Sequence, residues 1–215
     1  MARLDDFPNY GVLETKLEEK HIDLLYDYIR ESAPNGYEFD GNEIVNHSKD
    51  NQWQLTDHYG RFTNEVLMPN VKEYMDKWGP PLSVSTTHYH QLCLNRFWVR
   101  ATTKDQYQGI HDHHSALSFV IWLKIPTDWE EEQKGDMGFA HPDATDFIFL
   151  YTDCIGKIRS YNYKLSPDCE GTMLVFPSEL NHCVMPGYTQ SGYRISVAGD
   201  VSFDSFAAMK DQIVP

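Results

Sequence analysis

Hydrophobic residues in the first third of the chain recur at helical spacing in two segments. The first begins at Thr15-Lys16-Leu17-Glu18, which has the form of a capping box, and ends at Pro34-Asn35-Gly36. The second runs from residue 64 to residue 78, and Pro69 is expected to offset its first turn. Both patterns predict amphipathic helices that lie against an apolar surface and carry no chemistry of their own.

From residue 91 the pattern changes to short runs of β-branched and aromatic residues, separated by glycine and proline turns. Six or more strands at this spacing predict a sandwich or a jelly roll. We therefore expect a mainly β fold with N-terminal helices in a single domain, 1–215. Residues 1–90 would form a helical buttress with lead-in strands, 91–203 the β core and 204–215 a C-terminal tail. The predicted strands are 91–101, 117–125, 146–152, 157–165, 172–176 and 193–203.

Composition narrows the classes of function. The 215 residues carry 18 Lys and Arg against 32 Asp and Glu, a formal charge of −14, which repels nucleic-acid phosphates and argues against non-specific DNA or RNA binding.

The longest apolar run, 116–125, is too short for a membrane span, and the N-terminus lacks the apolar stretch of a signal peptide, so we expect a cytoplasmic protein. The acidic run 128–132 is expected in a solvated loop.

Histidines provide the candidate chemistry. In an extended segment residues i and i+2 face the same side, so His111 and His113 can present two imidazoles to one ion while Asp112 faces away. His182 follows an apolar strand and a loop, and adjacent jelly-roll strands would bring it to the same site as a third ligand. The alternative is that these are ordinary hydrogen-bonded polar residues. Four other histidines are interpreted as surface or packing residues: His88, His90, His114 and His141.

A candidate anion site lies twelve residues beyond His182. Arg194 and Ser196 share a face of the predicted strand 193–203, and a buried guanidinium with a hydroxyl beside it suits a carboxylate. If this face points into the same barrel as the histidines, a small diacid would bridge the two sites. The alternative is an ordinary ion pair between Arg194 and one of the many acidic residues.

In their order and spacing these elements resemble the Fe(II)- and 2-oxoglutarate-dependent oxygenases, in particular small prolyl-hydroxylase-like oxygenases of bacteria and marine phages. The resemblance covers residues 91–203 and rests on a strand with Trp98, the His111-x-His113 pair, the strand SFVIWLKIP, the strand MLVFPSELNH ending in His182, and Arg194-x-Ser196. It implies a double-stranded β-helix over 91–203. If the chain is phage-encoded, its location would be the host cytoplasm.

The resemblance also implies a set of metal ligands. The family holds iron through a His, a carboxylate two residues later and a distal His, which correspond to His111, position 113 and His182. Position 113 is His in this chain, where most members have Asp or Glu. We expect His113 to be the second ligand, with Asp112, turned in from a loop conformation, and a site of only two protein ligands as the alternatives.

The remaining implications concern the cosubstrate. Arg194 and Ser196 match the anchor for the distal carboxylate of 2-oxoglutarate, Trp122 stands where several relatives place a tyrosine that binds the same carboxylate, and Tyr107 is a further candidate near the cosubstrate. The implied cofactors are Fe(II) and 2-oxoglutarate, with O₂ as cosubstrate and ascorbate as an optional addition. The implied reaction is hydroxylation of an unidentified substrate, with a peptidyl or free amino acid such as proline as the first candidate.

Two other classes remain open. A cupin-like jelly roll would hold a metal through three imidazoles without 2-oxoglutarate, and it would have no use for the Arg194-x-Ser196 anchor. A non-enzymatic β-sandwich accessory protein would have no iron affinity.

Overall fold

The structure is a computed structural model that describes residues 10–46, 51–79, 92–127, 129–134 and 141–203. The predicted tail, 204–215, and the pair His88 and His90 lie outside these ranges. None of the helices within them is long and apolar enough to cross a membrane.

Twelve strands and three α-helices follow one another along the described chain. In order they are β1 Leu13–Lys16, α1 Glu19–Ser32, β2 Glu38–Asp40, β3 Glu43–Asn46, β4 Gln52–Gln54, α2 Met68–Trp78, β5 Leu92–Thr102, β6 Gln108–His111, β7 Leu117–Lys124, α3 Trp129–Glu132, β8 Phe147–Thr152, β9 Ile158–Tyr163, β10 Thr172–Pro177, β11 His182–Val184 and β12 Arg194–Phe203. Short 3₁₀ turns at His58–Gly60 and Pro167–Cys169 and a π-helical turn at Thr63–Leu67 complete the set.

Two antiparallel sheets face each other across a shared core. The larger has the strand order β1-β10-β7-β12-β5-β4 and the smaller the order β6-β11-β8-β9, while β2 and β3 form a separate hairpin. Side chains from β7, β8 and β10 meet between the sheets, and α1 and α2 pack on the outer face of the larger sheet. This arrangement is the jelly roll that the spacing of strands predicts.

Strand β7 shows why its sequence is apolar without a break. Phe119 and Ile121 pack on the helical side of the sheet, whereas Val120 and Trp122 pack between the two sheets. Because the strand is buried on both faces, it reads as a continuous hydrophobic run and not as an alternating one. The only hydroxyl on this strand, Ser118, is fully buried as well.

The helices begin later than the sequence predicts. Thr15 belongs to β1 and its hydroxyl donates to Asn70 Oδ1 at 2.5 Å, so the capping-box interpretation is wrong and α1 starts at Glu19 without a side-chain cap. Pro69 lies in the first turn of α2, and a π-helical turn precedes that helix. A proline without an N–H fits the first turn of a helix, which is the offset that the sequence predicts.

The acidic run also differs from expectation. Glu132 is 1% exposed, and its carboxylate accepts hydrogen bonds from the backbone N–H groups of Tyr188 and Thr189 and from the Thr189 hydroxyl. The prediction of a solvated loop is therefore wrong for this residue. Glu132 ties α3 to the segment that leads into β12, because a carboxylate can satisfy several backbone donors at once.

Candidate metal centre and cosubstrate cavity

Two strands bring the distant histidines together. His111 ends β6 and His182 begins β11, and the two are direct partners in the antiparallel pairing of these strands. His113 lies two residues beyond β6, where its backbone N–H donates to the Ser178 carbonyl at 2.9 Å and fixes the chain. The ring centroids are 4.2 Å apart for His111 and His182, 5.4 Å for His111 and His113, and 5.3 Å for His113 and His182.

The donor atoms of these imidazoles suit a single metal ion. One ring nitrogen of each histidine lies within 4.8 Å of those of the other two. In every ring Nδ1 contacts an oxygen acceptor: the Gly109 carbonyl at 2.7 Å from His111, the Leu180 carbonyl at 2.8 Å from His182, and Asp200 Oδ1 at 2.6 Å from His113. A neutral imidazole that donates through Nδ1 keeps its lone pair on Nε2. The three residues therefore fit an open three-ligand metal site, with each ring held in the required tautomer.

His182 is the most enclosed of the three. Its side chain is 4% exposed and packs against the rings of Phe147, Phe149 and Phe176. Burial, assisted by the neighbouring His111 and His113, lowers the pKa of His182 to about 4. The imidazole is consequently neutral at pH 7, which is the form that binds metals.

The side-chain amide of Gln108 forms a hydrogen bond with His111 at the nitrogen that would bind a metal. Its amide Nε2 lies 2.9 Å from His111 Nε2, the nitrogen that is left as acceptor when Nδ1 donates to Gly109. A metal ion would need the same lone pair, so the amide must turn away when a metal binds. Asp112 is exposed and is not part of the histidine cluster.

The cavity beneath the histidines ends at a buried cation. Arg194 is 5% exposed, and its guanidinium makes only long hydrogen bonds: Nε to the Thr102 hydroxyl at 3.3 Å and both terminal nitrogens to the Met185 carbonyl at 3.4 and 3.5 Å. Among the described residues no carboxylate lies within ion-pair distance of it. Burial lowers the pKa of Arg194 to about 10, so it stays charged at pH 7 and leaves a positive charge facing the cavity.

A second guanidinium in this cavity was missed by the sequence reasoning. Arg100 lies opposite Ser196 in the pairing of β5 with β12, and both residues line the cavity with Arg194. Its buried Nε has no hydrogen-bond partner among the described residues, and its charge contributes to the lowered pKa of Arg194. The alternation of β5 was the available signal, because Trp98, Arg100 and Thr102 must share one face.

The other predicted cosubstrate residues have different positions. Trp122 lines the same cavity, is 1% exposed and stacks on Tyr163 with an interplanar angle of 10°. Tyr107 is 53% exposed and is not among the cavity-lining residues, so the structure does not bring it to the site. A larger cleft of about 590 Å³, lined by four tyrosines, lies elsewhere and contains none of the three histidines.

Comparisons with known proteins agree with this site. The family described as "Putative 2OG-Fe(II) oxygenase" matches residues 96–200. No curated protein sequence matches the chain. The fold is similar to that of HygX from Streptomyces hygroscopicus, solved with nickel, 2-oxoglutarate and hygromycin B bound, with a TM-score of 0.53, 10% identity, and coverage of 91% of this chain and 84% of that one.

Two further structures share the fold. A prolyl-4-hydroxylase from Pseudomonas putida has a TM-score of 0.51 and 13% identity, with coverage of 91% of this chain and 94% of that one. A 2OG-Fe(II) oxygenase family oxidoreductase from Burkholderia pseudomallei has a TM-score of 0.50 and 13% identity, with coverage of 94% and 95%. The histidine cluster and both cavity arginines lie inside residues 96–200, the segment that is similar to the 2OG-Fe(II) oxygenase family.

Proposed function

We propose that the protein is a non-haem Fe(II) dioxygenase that couples oxidative decarboxylation of 2-oxoglutarate to hydroxylation of a second substrate. The observation that carries this proposal is the combination, in one cavity, of three imidazoles with oriented lone pairs and a buried Arg194 that has no carboxylate partner among the described residues. A metal site alone would fit the cupin-like class. The buried guanidinium in the same cavity favours a cosubstrate that carries a carboxylate.

In this proposal His111, His113 and His182 hold the iron. We favour His113 over Asp112 as the second ligand because its ring faces the other two, whereas Asp112 lies outside the cluster. Bound Fe(II), with 2-oxoglutarate and O₂, supplies the oxidising chemistry. The protein orients the three imidazoles and excludes water from His182 with a wall of phenylalanine rings.

Arg194 and Ser196 bind the distal carboxylate of 2-oxoglutarate in this proposal, and Arg100 adds a second positive charge beside them. A dianion compensates the two guanidinium groups, neither of which has a carboxylate within ion-pair distance among the residues that the structure describes. Trp122 forms the wall of the pocket, so its contribution is shape. Tyr107 has no part in cosubstrate binding, because it is exposed and does not line the cavity.

The substrate enters from the open side of the histidines. A groove there is lined by polar residues of β4 and β5, and Trp98 in it lies next to His113. The described part of this groove contains no acidic side chain. Its lining residues are Gln52, Gln54, Arg96, Trp98, Gln108, His111 and His113. Side-chain amides and an indole suit a peptidyl or free amino acid, which carries amide or carboxylate groups.

A location in the cytoplasm and a phage source stay predictions from the sequence.

Succinate formation tests the proposed reaction. The purified protein, supplied with Fe(II), 2-oxoglutarate and O₂, should convert 2-oxoglutarate into succinate, and removal of Fe(II) with a chelator should stop the conversion. His182→Ala should lose the activity, whereas His141→Ala, which removes an exposed imidazole outside the cluster, should keep it. Metal binding without any interaction with 2-oxoglutarate would favour the cupin-like class, and absence of metal binding the non-enzymatic β-sandwich.

A further inference from the structure

A buried carboxylate stands behind one of the three imidazoles. Asp200 is 1% exposed, and its Oδ1 lies 2.6 Å from His113 Nδ1 and 2.8 Å from the Ser118 hydroxyl. Ser118 in turn lies 2.8 Å from the hydroxyl of Ser178, whose carbonyl accepts the backbone N–H of His113. The side chain and the backbone of His113 are thus fixed by one buried polar network.

The position of Asp200 follows from the alternation of β12. Arg194, Ser196 and Asp200 are separated by even numbers of residues, and Asp200 pairs with Ser118 on β7. One face of one strand therefore carries the carboxylate-binding guanidinium at its beginning and a carboxylate near its end. This face connects the cosubstrate end of the cavity with the metal end.

The charge of Asp200 is incompletely balanced by the protein. Its single ion-pair neighbour among the described residues is His113, and its Oδ2 has no hydrogen-bond partner among them. A buried carboxylate is costly unless a cation or several donors compensate it. The other side of the His113 ring faces the proposed metal position, where a divalent cation would provide that compensation through the imidazole.

We propose that Asp200 is a positioning residue for His113. Through the imidazole, Asp200 supplies the negative charge that most members of the family place directly on the metal. This inference rests on the proposed function, since it assumes that the histidine cluster binds a metal. Asp200 holds the Nδ1–H tautomer and directs Nε2 towards the metal. The replacement of the usual carboxylate at position 113 is thereby compensated from the neighbouring strand.

Affinity for Co(II), an O₂-stable substitute for Fe(II), tests the role of Asp200 without measuring turnover. Asp200→Asn keeps the shape of the side chain and removes its charge, and it should weaken Co(II) binding about 10-fold to 100-fold, the range for such outer partners of ligating histidines. Asp23→Asn, the same change on the exposed face of α1, should leave Co(II) binding unchanged. Equal Co(II) affinity in the wild type and Asp200→Asn would overturn the proposal.

A double-mutant cycle separates positioning from a general structural effect. If Asp200 acts through His113, then Asp200→Asn should cost little Co(II) affinity in a His113→Gln background, whereas a structural role would cost the same in both backgrounds. If Asp200→Asn fails to fold, Ser118→Ala, which removes one hydrogen bond to the carboxylate, replaces it and should weaken Co(II) binding to a smaller extent. Unchanged Co(II) binding in folded Ser118→Ala would then count against the network.

The tautomer of His113 tests the inference without any metal. In the metal-free wild type, ¹⁵N NMR of the imidazoles should show His113 protonated at Nδ1, and the Nε2–H tautomer would contradict the proposal. If the wild type binds no Co(II), the proposed function fails, and the NMR result still shows whether Asp200 sets the tautomer. If the wild type binds Co(II) and Asp200→Asn binds it equally, the inference fails and the proposed function stands.

Discussion

Arg100 is the residue whose role changes most between sequence and structure. In the sequence Arg100 is one of 18 Lys and Arg residues, and only the alternation of the predicted strand 91–101, which puts it on the same face as Trp98, distinguishes it from the others. In the structure Arg100 lines the same cavity as Arg194. Its Nε is buried and has no hydrogen-bond partner among the described residues. Two guanidinium groups in one cavity, neither with a carboxylate partner among the described residues, favour a ligand with more than one negative charge.

Arg100→Gln should therefore weaken 2-oxoglutarate binding. A charge-assisted hydrogen bond contributes about 1.5–3 kcal/mol, which corresponds to a loss of roughly 10-fold to 100-fold in affinity. Calorimetric titration of the Co(II)-loaded protein with 2-oxoglutarate measures it, with Arg61→Gln on the surface of the molecule as the matched control. If 2-oxoglutarate binds equally to wild type and Arg100→Gln, Arg100 does not contact the cosubstrate.

The buried carboxyl group of Asp146 should make the free energy of unfolding depend on pH, independently of the metal site. It is 1% exposed, and burial raises the pKa of its carboxyl group to about 6 from an ordinary value near 4. Between these two values the folded state holds a proton that the unfolded state has lost. The free energy of unfolding should therefore fall as the pH rises from about 4 to about 6, and it should be restored as the pH is lowered.

Asp146→Asn removes this titration. The amide stays neutral, so the variant should gain about 1–3 kcal/mol relative to the wild type between pH 4 and pH 7. Urea unfolding of the metal-free protein at several pH values measures the difference. A constant difference across this pH range would mean that the carboxyl group of Asp146 has its ordinary pKa in the fold.

At the level of elements, Gly199 of β12 lies close against both β5 and the ring of Phe119 on β7. A Cβ at this position would lie 2.5 Å from the Arg96 carbonyl and 2.5 Å from the Phe119 ring. The absence of a side chain is thus what lets β12 pass between β5 and the ring of Phe119. Asp200 follows directly, so the same contact fixes the strand that carries it.

Gly199→Ala should destabilise the protein by about 1–3 kcal/mol, the usual cost of overpacking a core. Gly109→Ala is the matched control, because the nearest heavy atom to a Cβ there is 3.8 Å away and the backbone is not left-handed. Thermal or denaturant unfolding of both variants measures the effect. Equal stabilities of the two variants would show that the sheet relaxes around the added methyl group.

The longer strands were predictable from the sequence and the short ones were not. Each of the six predicted strands is present with ends that differ by at most two residues, because segments of six or more residues that contain several β-branched or aromatic side chains make a clear pattern. The strands that escaped prediction are three or four residues long: β1, β2, β3, β4, β6 and β11. Such segments are defined by their partners in the sheet and have too few residues for a period.

For the molecule as a whole, the sequence predicted which chemistry-bearing residues meet but not what supports them. His111, His113, His182, Arg194 and Ser196 were selected from strand alternation and spacing, and the fold brings them around one cavity. Asp200 and Gln108 escaped notice because their contacts to the histidines depend on the pairing of distant strands. A carboxylate in a chain with 32 acidic residues carries no local signal of that kind.

The charge of the whole molecule and the charge of its cavity have opposite signs. The chain carries −14 overall, yet the described lining of the cavity contains two arginines and no acidic side chain. The overall negative charge repels other polyanions, whereas the local positive charge favours anionic ligands inside the cavity. The account as a whole therefore depends on a small dianion and a metal ion that occupy one cavity together.

Anaerobic absorption spectroscopy tests this claim most directly. Addition of Fe(II) and then 2-oxoglutarate to the wild type should produce a weak visible charge-transfer band that requires both additions. His182→Ala should show no band. Arg194→Gln should show it only at a 2-oxoglutarate concentration that is about 10-fold to 100-fold higher, because the proposed role of Arg194 is to bind the cosubstrate and not the metal. A wild-type protein that binds Fe(II) without any band on addition of 2-oxoglutarate would contradict the account.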